Sequence, residues 1–324
     1  MKKLICALLV IAMLFALAAC KRQEEPEAVN TEAPSTEAPT DAPATDAPTA
    51  EPTEEPAERP SMAYADYPKV DGSTANIPLA MGLVQLITGC SEDKAEQSID
   101  FSTTDYSYEA LANGLCDMLL VYEASAPTKE LYDPQRNFDM RPIGLDALVF
   151  ITNTDNPVDS LTEEQIRGIF SGRITNWSEV GGLDMPIKAF QRPTLSGSQT
   201  LMLDLCMGGV PMADTETVVV SDTMSDVIRD IAAYDNSANA IGYSVYYYAQ
   251  NMYNQPNLKF IKVEGVTPTN ESINSGEYKY INPFYAILPK TNVNANAAAI
   301  VDWLETPEGQ AFVASCGYVP YLKQ

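Results

Sequence analysis

The residues best suited to hold an anion lie together between Arg192 and Ser198. Arg192 stands four residues before Ser196-Gly197-Ser198, which open a predicted helix running through Leu201. Free amides at a helix start and the positive end of its dipole attract anions. An arginine adds a permanent charge and a planar fork of donors that matches two oxygens of a phosphate-like group. The segment predicts a pocket for a small oxyanion, although a helix cap beside a surface arginine would give the same pattern.

Ser196 and Gln199 match the S-x-x-Q capping box, which supports a helix start at this point. Two further loops run into predicted helices. Asp71-Gly72-Ser73-Thr74 follows a strand-like segment and precedes a proline suited to a first helical turn, and Thr104 ends the run Ser102-Thr103-Thr104. Their hydroxyls and amides could close on the same bound oxygen, or serve only as ordinary caps.

The N-terminal segment predicts export and lipid attachment. Residues 1–19 carry two lysines and an apolar run that is too short for the roughly 20 residues of a membrane span. Small residues precede Cys20, as in a bacterial lipoprotein signal peptide, so we expect Cys20 to be lipidated on the extracellular face of the membrane. Residues 20–66 are rich in Pro, Glu, Thr and Ala and predict a disordered tether.

Charge and composition exclude several classes of function. Residues 61–324 contain 33 acidic and 15 basic side chains, a net charge of −18, which argues against a nucleic-acid partner. The chain has no histidine, which excludes a Ser-His-Asp triad and the common His-rich zinc sites. We therefore expect no cofactor, no metal and no enzymatic activity. Any anion must be held by local donors, because the overall field repels it.

The sequence has six cysteines; apart from Cys6 in the N-terminal apolar run and Cys20, four remain, and none has C-x-x-C spacing. Free buried thiols and disulfides are both compatible with them; Cys90 and Cys116 are the closest pair in sequence. The other two are Cys206 and Cys316.

The folded part predicts an α/β protein. Short apolar runs at 147–151 and 285–288 are typical of buried strands and alternate with helical patterns. A helix is predicted over 161–170, with Ser160 and Glu163 as its capping box.

Four stretches together resemble the phosphate-type solute-binding proteins of ABC importers, in the type II periplasmic-binding-protein superfamily. They are DGSTANIPL, NPVDSLTEEQIRGIFSGRITNWSEVGG, FQRPTLSGSQT and AIGY, which begin at residues 71, 156, 190 and 240. The resemblance implies a clamshell of two α/β lobes joined by two crossing strands. It places lobe 1 in 67–149 plus 284–324, lobe 2 in 150–283, and the crossings at the two apolar runs.

The resemblance also implies ligand-binding residues: Ser73, Thr74, Thr104, Arg192, Ser196, Gly197 and Ser198. One departure from the family stands after Asp117, where a Ser-Asp or Ser-Ser-Arg group is usual and this chain has Tyr122-Glu123-Ala124. A pocket carboxylate that accepts the proton of phosphate favours it over sulfate. Glu123 and Asp71 are the candidate replacements, and Glu123 is included in the predicted site.

The resulting prediction is a monomeric, lipid-anchored binding protein that delivers inorganic phosphate, or a similar tetrahedral oxyanion, to an ABC permease. A surface sensor or interaction protein with a diverged ligand is the alternative, motivated by the altered segment at Tyr122. A phosphoester hydrolase using a pocket serine is disfavoured, because histidine and an Asp-rich metal site are both missing from the sequence.

Overall fold

Strands and helices alternate along the chain, as the apolar runs predict. The structure is a computed structural model that describes residues 57–214, 218–220, 224–232 and 238–321. Its strands are β1 (Val70–Gly72), β2 (Met118–Val121), β3 (Phe138–Asn153), β4 (Ser160–Leu161), β5 (Lys188–Gln191), β6 (Val218–Val220), β7 (Ala240–Val245), β8 (Leu258–Val263), β9 (Ile281–Pro289) and β10 (Val319–Pro320).

The α-helices of the described residues are α1 (Ile77–Thr88), α2 (Glu92–Ser98), α3 (Thr104–Ala112), α4 (Ala126–Tyr132), α5 (Pro134–Asn137), α6 (Glu163–Phe170), α7 (Gly197–Leu201), α8 (Met224–Ala232), α9 (Asn270–Asn274), α10 (Ala295–Leu304) and α11 (Pro307–Ser315). None of them is long and apolar enough to cross a bilayer. The predicted signal peptide, Cys20 and most of the predicted tether lie outside the described residues.

The long strand β3 belongs to two groups of strands. Its first part, 138–147, pairs with β9, and its last part, 148–153, pairs with β7 and β8. The main strand order is β1-β2-β9-β3-β7-β5-β6. We call β1, β2, β9, β10 and the first part of β3 the first half-sheet, and β5 to β8 with the last part of β3 the second half-sheet.

Parallel pairing brings the ends of several strands to the same edge. β1 runs parallel to β2 in the first half-sheet, and β5 runs parallel to β6 and β7 in the second. Ser73 follows β1 directly and Arg192 follows β5 directly. Ligands of open α/β sheets bind outside the carboxyl ends of such strands. The fold therefore places both residues where binding loops are expected.

Buried apolar side chains on both half-sheets hold the helices in place. Leu79 and Leu83 of α1 are fully buried, as are Phe150 of β3, Trp303 of α10 and Trp177. The indole N–H of Trp177 donates to the Asn239 carbonyl at 2.9 Å. Trp177, which lies within the long 156–182 motif, is therefore a packing residue.

The residue that caps α6 lies two positions after the predicted one. Ser160 lies in β4, which pairs with β8, and so it is not the cap. The helix begins at Glu163, with Thr162 and Gln165 forming the capping box. A local capping signal gave the helix correctly, but strand pairing decided which of two neighbouring hydroxyls caps it.

All four described cysteines are free thiols. Cys116 and Cys206 are buried, and burial raises the pKa of the Cys116 thiol to about 12. Of the two possibilities left open by the sequence, the disulfide is absent among the described residues, and Cys116 and Cys206 are buried thiols whereas Cys90 and Cys316 are partly exposed.

Candidate anion-binding site

A cavity of about 340 Å³ lies where the two half-sheets meet. Three chain segments surround it: the loop after β1, the start of α3, and the loop between β5 and α7. Seven of the eight predicted ligand-binding residues line it, namely Ser73, Thr74, Thr104, Arg192, Ser196, Gly197 and Ser198. Its wall also includes Ala75, Thr103, Tyr106, Tyr122, Pro193, Thr194, Leu195 and Val245.

Ser73 is held in place by the neighbouring strand. Its amide donates to the Leu120 carbonyl at 3.1 Å, and its Oγ accepts the Tyr122 amide at 3.1 Å. The same Oγ lies 2.8 Å from Thr104 Oγ1. Because one lone pair of Ser73 Oγ is already used by an amide, its hydrogen is left for Thr104 or for a bound oxygen.

Gly72 allows two neighbouring strands to approach closely. It lies in β1, and a Cβ at this position would stand 1.9 Å from the Leu120 carbonyl oxygen of β2. Glycine is needed because the two backbones approach so closely, which in turn sets the position of Ser73.

Thr104 is the first residue of α3 and is almost completely buried. The preceding residue, Thr103, has φ 85°. A β-branched residue rarely adopts positive φ, and such strain is concentrated at functional sites. The strained link turns the chain sharply into α3 beside the cavity.

The third segment combines two hydroxyls at the start of α7. Ser196 Oγ accepts the Gln199 amide at 3.3 Å and lies 3.2 Å from Ser198 Oγ. The capping box expected here is only half formed, because the Gln199 side chain does not return to the Ser196 amide. Gln199 Nε2 instead donates to the sulfur of Met212 at 3.2 Å, and Gln199 Oε1 accepts a hydrogen bond from the Arg192 amide.

Two buried groups position the backbone of Arg192. The Arg192 amide donates to Gln199 Oε1 at 3.2 Å and to the Tyr243 hydroxyl at 3.1 Å, and that hydroxyl donates to the same Gln199 oxygen. Tyr243 is fully buried, and burial raises the pKa of its hydroxyl, so it remains a neutral donor. The sequence motif AIGY contains Tyr243, but sequence reasoning gave this tyrosine no role.

The two sides of the cavity touch at Gly197. A Cβ built on Gly197 would lie 2.5 Å from Thr104 Oγ1, far inside van der Waals contact. Gly197 follows the second half-sheet and Thr104 belongs to a helix of the first. The cleft is therefore closed at this point, and only a hydrogen atom fits between the two segments.

The structure places Glu123 outside this cavity, contrary to the prediction. Its carboxylate pairs with Lys129 at 3.1 Å, and it lines a separate cavity of about 250 Å³. Lys129 also lies 3.7 Å from Asp204. Successive residues of an extended chain point in opposite directions, so Tyr122 faces the anion cavity and Glu123 faces away.

Asp71 is also accounted for by structural contacts. Its Oδ1 accepts the amides of Gly72 at 2.6 Å and Ser102 at 2.7 Å, and its Oδ2 accepts the Ser102 hydroxyl at 2.6 Å. Asp71 thus ties the first loop to the segment before α3. It is not among the residues that line the cavity.

A buried carboxylate lies behind the cavity wall, and sequence reasoning missed it. Asp146 of β3 accepts the Tyr122 hydroxyl at 2.5 Å, the Ala147 amide at 2.8 Å and the Tyr247 amide at 3.1 Å. Burial raises its pKa to about 6, and these hydrogen bonds partly oppose the rise. Asp146 stands where β3 passes from one half-sheet to the other.

The arrangement can bind but offers little for covalent chemistry. It provides one guanidinium, several hydroxyls and backbone amides, which are donors for a dehydrated oxyanion. Among the described residues, no group of three or more His, Cys, Asp or Glu side chains could hold a metal ion. The serine hydroxyls at the cavity contact amides and other hydroxyls rather than a base that could activate them.

Comparison with known proteins agrees with this description. A phosphate-binding protein PstS of Bacillus subtilis is 25% identical over 78% of this chain and 79% of its own length. One from Borreliella burgdorferi is 28% identical over 54% of this chain, and the match spans 63% of that relative. These relatives are named as binding proteins, in line with the prediction of no enzymatic activity.

The fold is found again in solved structures. A putative phosphate ABC transporter substrate-binding protein from Clostridium perfringens, with bound phosphate, superimposes with a TM-score of 0.61 at 24% identity, covering 78% of this chain and 98% of that one. An ABC-type phosphate transport receptor from Vibrio cholerae gives a TM-score of 0.59 at 22% identity, covering 78% and 99%. A family model described as a PBP superfamily domain matches residues 49–313. The chain therefore belongs to the PBP superfamily and has its type II clamshell fold.

Proposed function

We propose that this protein captures inorganic phosphate, or a similar tetrahedral oxyanion, for an ABC importer. The observation that carries the proposal is the convergence of Arg192 with hydroxyls from three separate segments around one cavity. Four ligand oxygens that have shed their water need several donors at once, and this set supplies them without a metal. The relatives named as phosphate-binding proteins support the same ligand.

Binding is coupled to closure of two lobes in this proposal. Lobe 1 comprises 67–149 plus 284–324 and lobe 2 comprises 150–283, with β3 as one connection. The strand pairing supports this division, because β3 changes partners after residue 147. The ligand contributes to closure because it contacts both lobes at the same time. The Lys129 to Asp204 ion pair joins the same two lobes, although exposed pairs contribute little.

The remaining parts of the proposal concern placement. The protein is exported, anchored by lipid on Cys20 and held at the extracellular face of the membrane by the tether. It passes its ligand to a membrane permease and acts as a monomer. The sequence before residue 67 supports this placement through its signal-like apolar run and its Pro-rich, acidic composition.

Arg192→Ala tests the binding site directly. Hydrogen bonds to a charged group contribute about 1.5–3 kcal/mol each, so the loss should be roughly 2–4 kcal/mol and weaken phosphate binding about 30- to 700-fold. Titration calorimetry with inorganic phosphate measures this change. The control is Arg173→Ala, which removes the same charge from an exposed position away from the cavity. Equal affinities for the two variants would reject the site.

A further inference from the structure

The cavity is larger than a tetrahedral anion requires. Phosphate fills roughly 70 Å³, a little more than two volumes of liquid water, whereas the cavity measures about 340 Å³. This space is present although Gly197 and Thr104 are already in contact across the cleft. Closing the cleft further at that point is prevented by the contact itself. Part of this volume is the mouth of the cavity, which opens to solvent, so a substituent on the anion has room to extend outward.

The wall of the cavity carries no negative charge to receive a ligand proton. None of the described residues that line it is Asp or Glu, and Arg192 is its charged member. The Tyr122 hydroxyl already donates to Asp146, which is not among the residues that line the cavity. Asp105, next to Thr104 in sequence, is not part of the wall.

The serine hydroxyls are also set up as donors. Ser73 Oγ accepts the Tyr122 amide and Ser196 Oγ accepts the Gln199 amide, so the hydrogen of each goes to the neighbouring hydroxyl, Thr104 or Ser198, or to a bound oxygen. Inorganic phosphate at neutral pH carries a hydroxyl that needs an acceptor. A phosphate monoester has its second pKa near 6 and is a dianion without such a hydroxyl above neutral pH. The donors of this cavity suit the dianion better.

Two exposed apolar side chains stand at the mouth. Tyr106 of α3 is 55% exposed and Leu195 of the β5–α7 loop is 40% exposed, and both line the cavity. They belong to opposite sides of the cleft. An organic group that extends from the anion toward solvent can contact these exposed apolar side chains.

From the volume, the missing acceptor and the apolar mouth, we infer that the site takes phosphate monoesters as well as, or better than, inorganic phosphate. The phosphoryl group lies at Arg192 and the hydroxyl-bearing loops, and the substituent lies between Tyr106 and Leu195. This inference rests on the proposed function, because it uses the same anion subsite. The substrate class proposed for this cavity is thus the phosphate monoesters.

Titration calorimetry at pH 8 with inorganic phosphate, sulfate and phenyl phosphate tests the inference. We expect phenyl phosphate to bind at least as tightly as inorganic phosphate, and sulfate to bind within about tenfold of it. Tyr106→Ala and Leu195→Ala should each lower the ratio of phenyl phosphate to phosphate affinity about 2- to 10-fold, the range of one aromatic or apolar contact. Leu183→Ala, a matched change at a residue that is 49% exposed outside the cavity, should leave the ratio unchanged.

The outcomes separate the two proposals. Phosphate binding that depends on Arg192 while phenyl phosphate fails to bind would overturn this inference and leave the proposed function intact. A phosphate affinity more than about a hundredfold above that of sulfate would reveal a proton acceptor and also overturn it. If neither phosphate nor phenyl phosphate binds, or if Arg192→Ala changes neither affinity, the anion subsite itself is wrong.

Discussion

Gly197→Ala should weaken ligand binding by obstructing closure of the cleft. The added methyl group would lie 2.5 Å from Thr104 Oγ1 and 3.4 Å from Thr104 Cβ. Gly197 does not have a positive φ, so alanine suits its backbone and favours the start of α7. The clash exists only when the two sides meet. Overpacking by one methyl group costs about 1–3 kcal/mol, which corresponds to a 5- to 140-fold rise in Kd.

The assay is titration calorimetry with inorganic phosphate, accompanied by urea unfolding of the ligand-free protein. We expect the free energy of unfolding to stay the same or to rise slightly, since glycine is the poorer helix residue. Thr104→Ala provides the matched background, because it removes the atom that the new methyl group would meet. In that background Gly197→Ala should cost less than about twofold in affinity. An unchanged Kd for the single variant, or the same loss in both backgrounds, would refute the reasoning.

Two further predictions concern the buried groups around the site. Burial raises the pKa of Asp146 to about 6, so its contribution to the free energy of unfolding is largest at low pH and falls as pH rises through 6, by about 3 kcal/mol in all. Asp146→Asn should remove this fall, and parallel wild-type and variant curves in urea unfolding from pH 4 to 8 would contradict it. Tyr243→Phe deletes a hydroxyl that donates to Gln199 and accepts from the Arg192 amide. It should lower the free energy of unfolding by about 1–2 kcal/mol and weaken phosphate binding, whereas unchanged stability in urea would show that the contact contributes little.

Much of the fold was accessible from local patterns. The apolar runs at 147–151 and 285–288 lie in β3 and β9, and Pro78 lies in the first turn of α1. Gly172 follows α6 with φ 74°, a conformation typical of a glycine just past a helix end. The helix features depend on neighbours a few residues apart, so their hydrogen-bonding partners lie in the same short segment. The two strands are recognisable by their apolar composition, although their pairing partners are distant in the chain.

The errors arose where a partner lies far away in the chain. Sequence placed Glu123 in the site, one residue from the side chain that faces the cavity. A shift of one position along an extended segment reverses the direction of the side chain. In the same way, Ser160 fits a cap by its type and spacing but is taken up by pairing with β8.

By itself, the sequence determined that the chain has an α/β fold, that three hydroxyl-bearing loops precede helices, and that Arg192 supplies the charge. Tertiary structure decided which of these meet. Ser73 reaches Thr104 across 31 residues, and Arg192 is positioned by Tyr243 across 51 residues. It also turned Asp71 into a link between loops and left Tyr122 on the cavity wall. The reason is that a local segment specifies its own hydrogen bonds, whereas strand order and the pleat of each strand specify which distant side chains share a cavity.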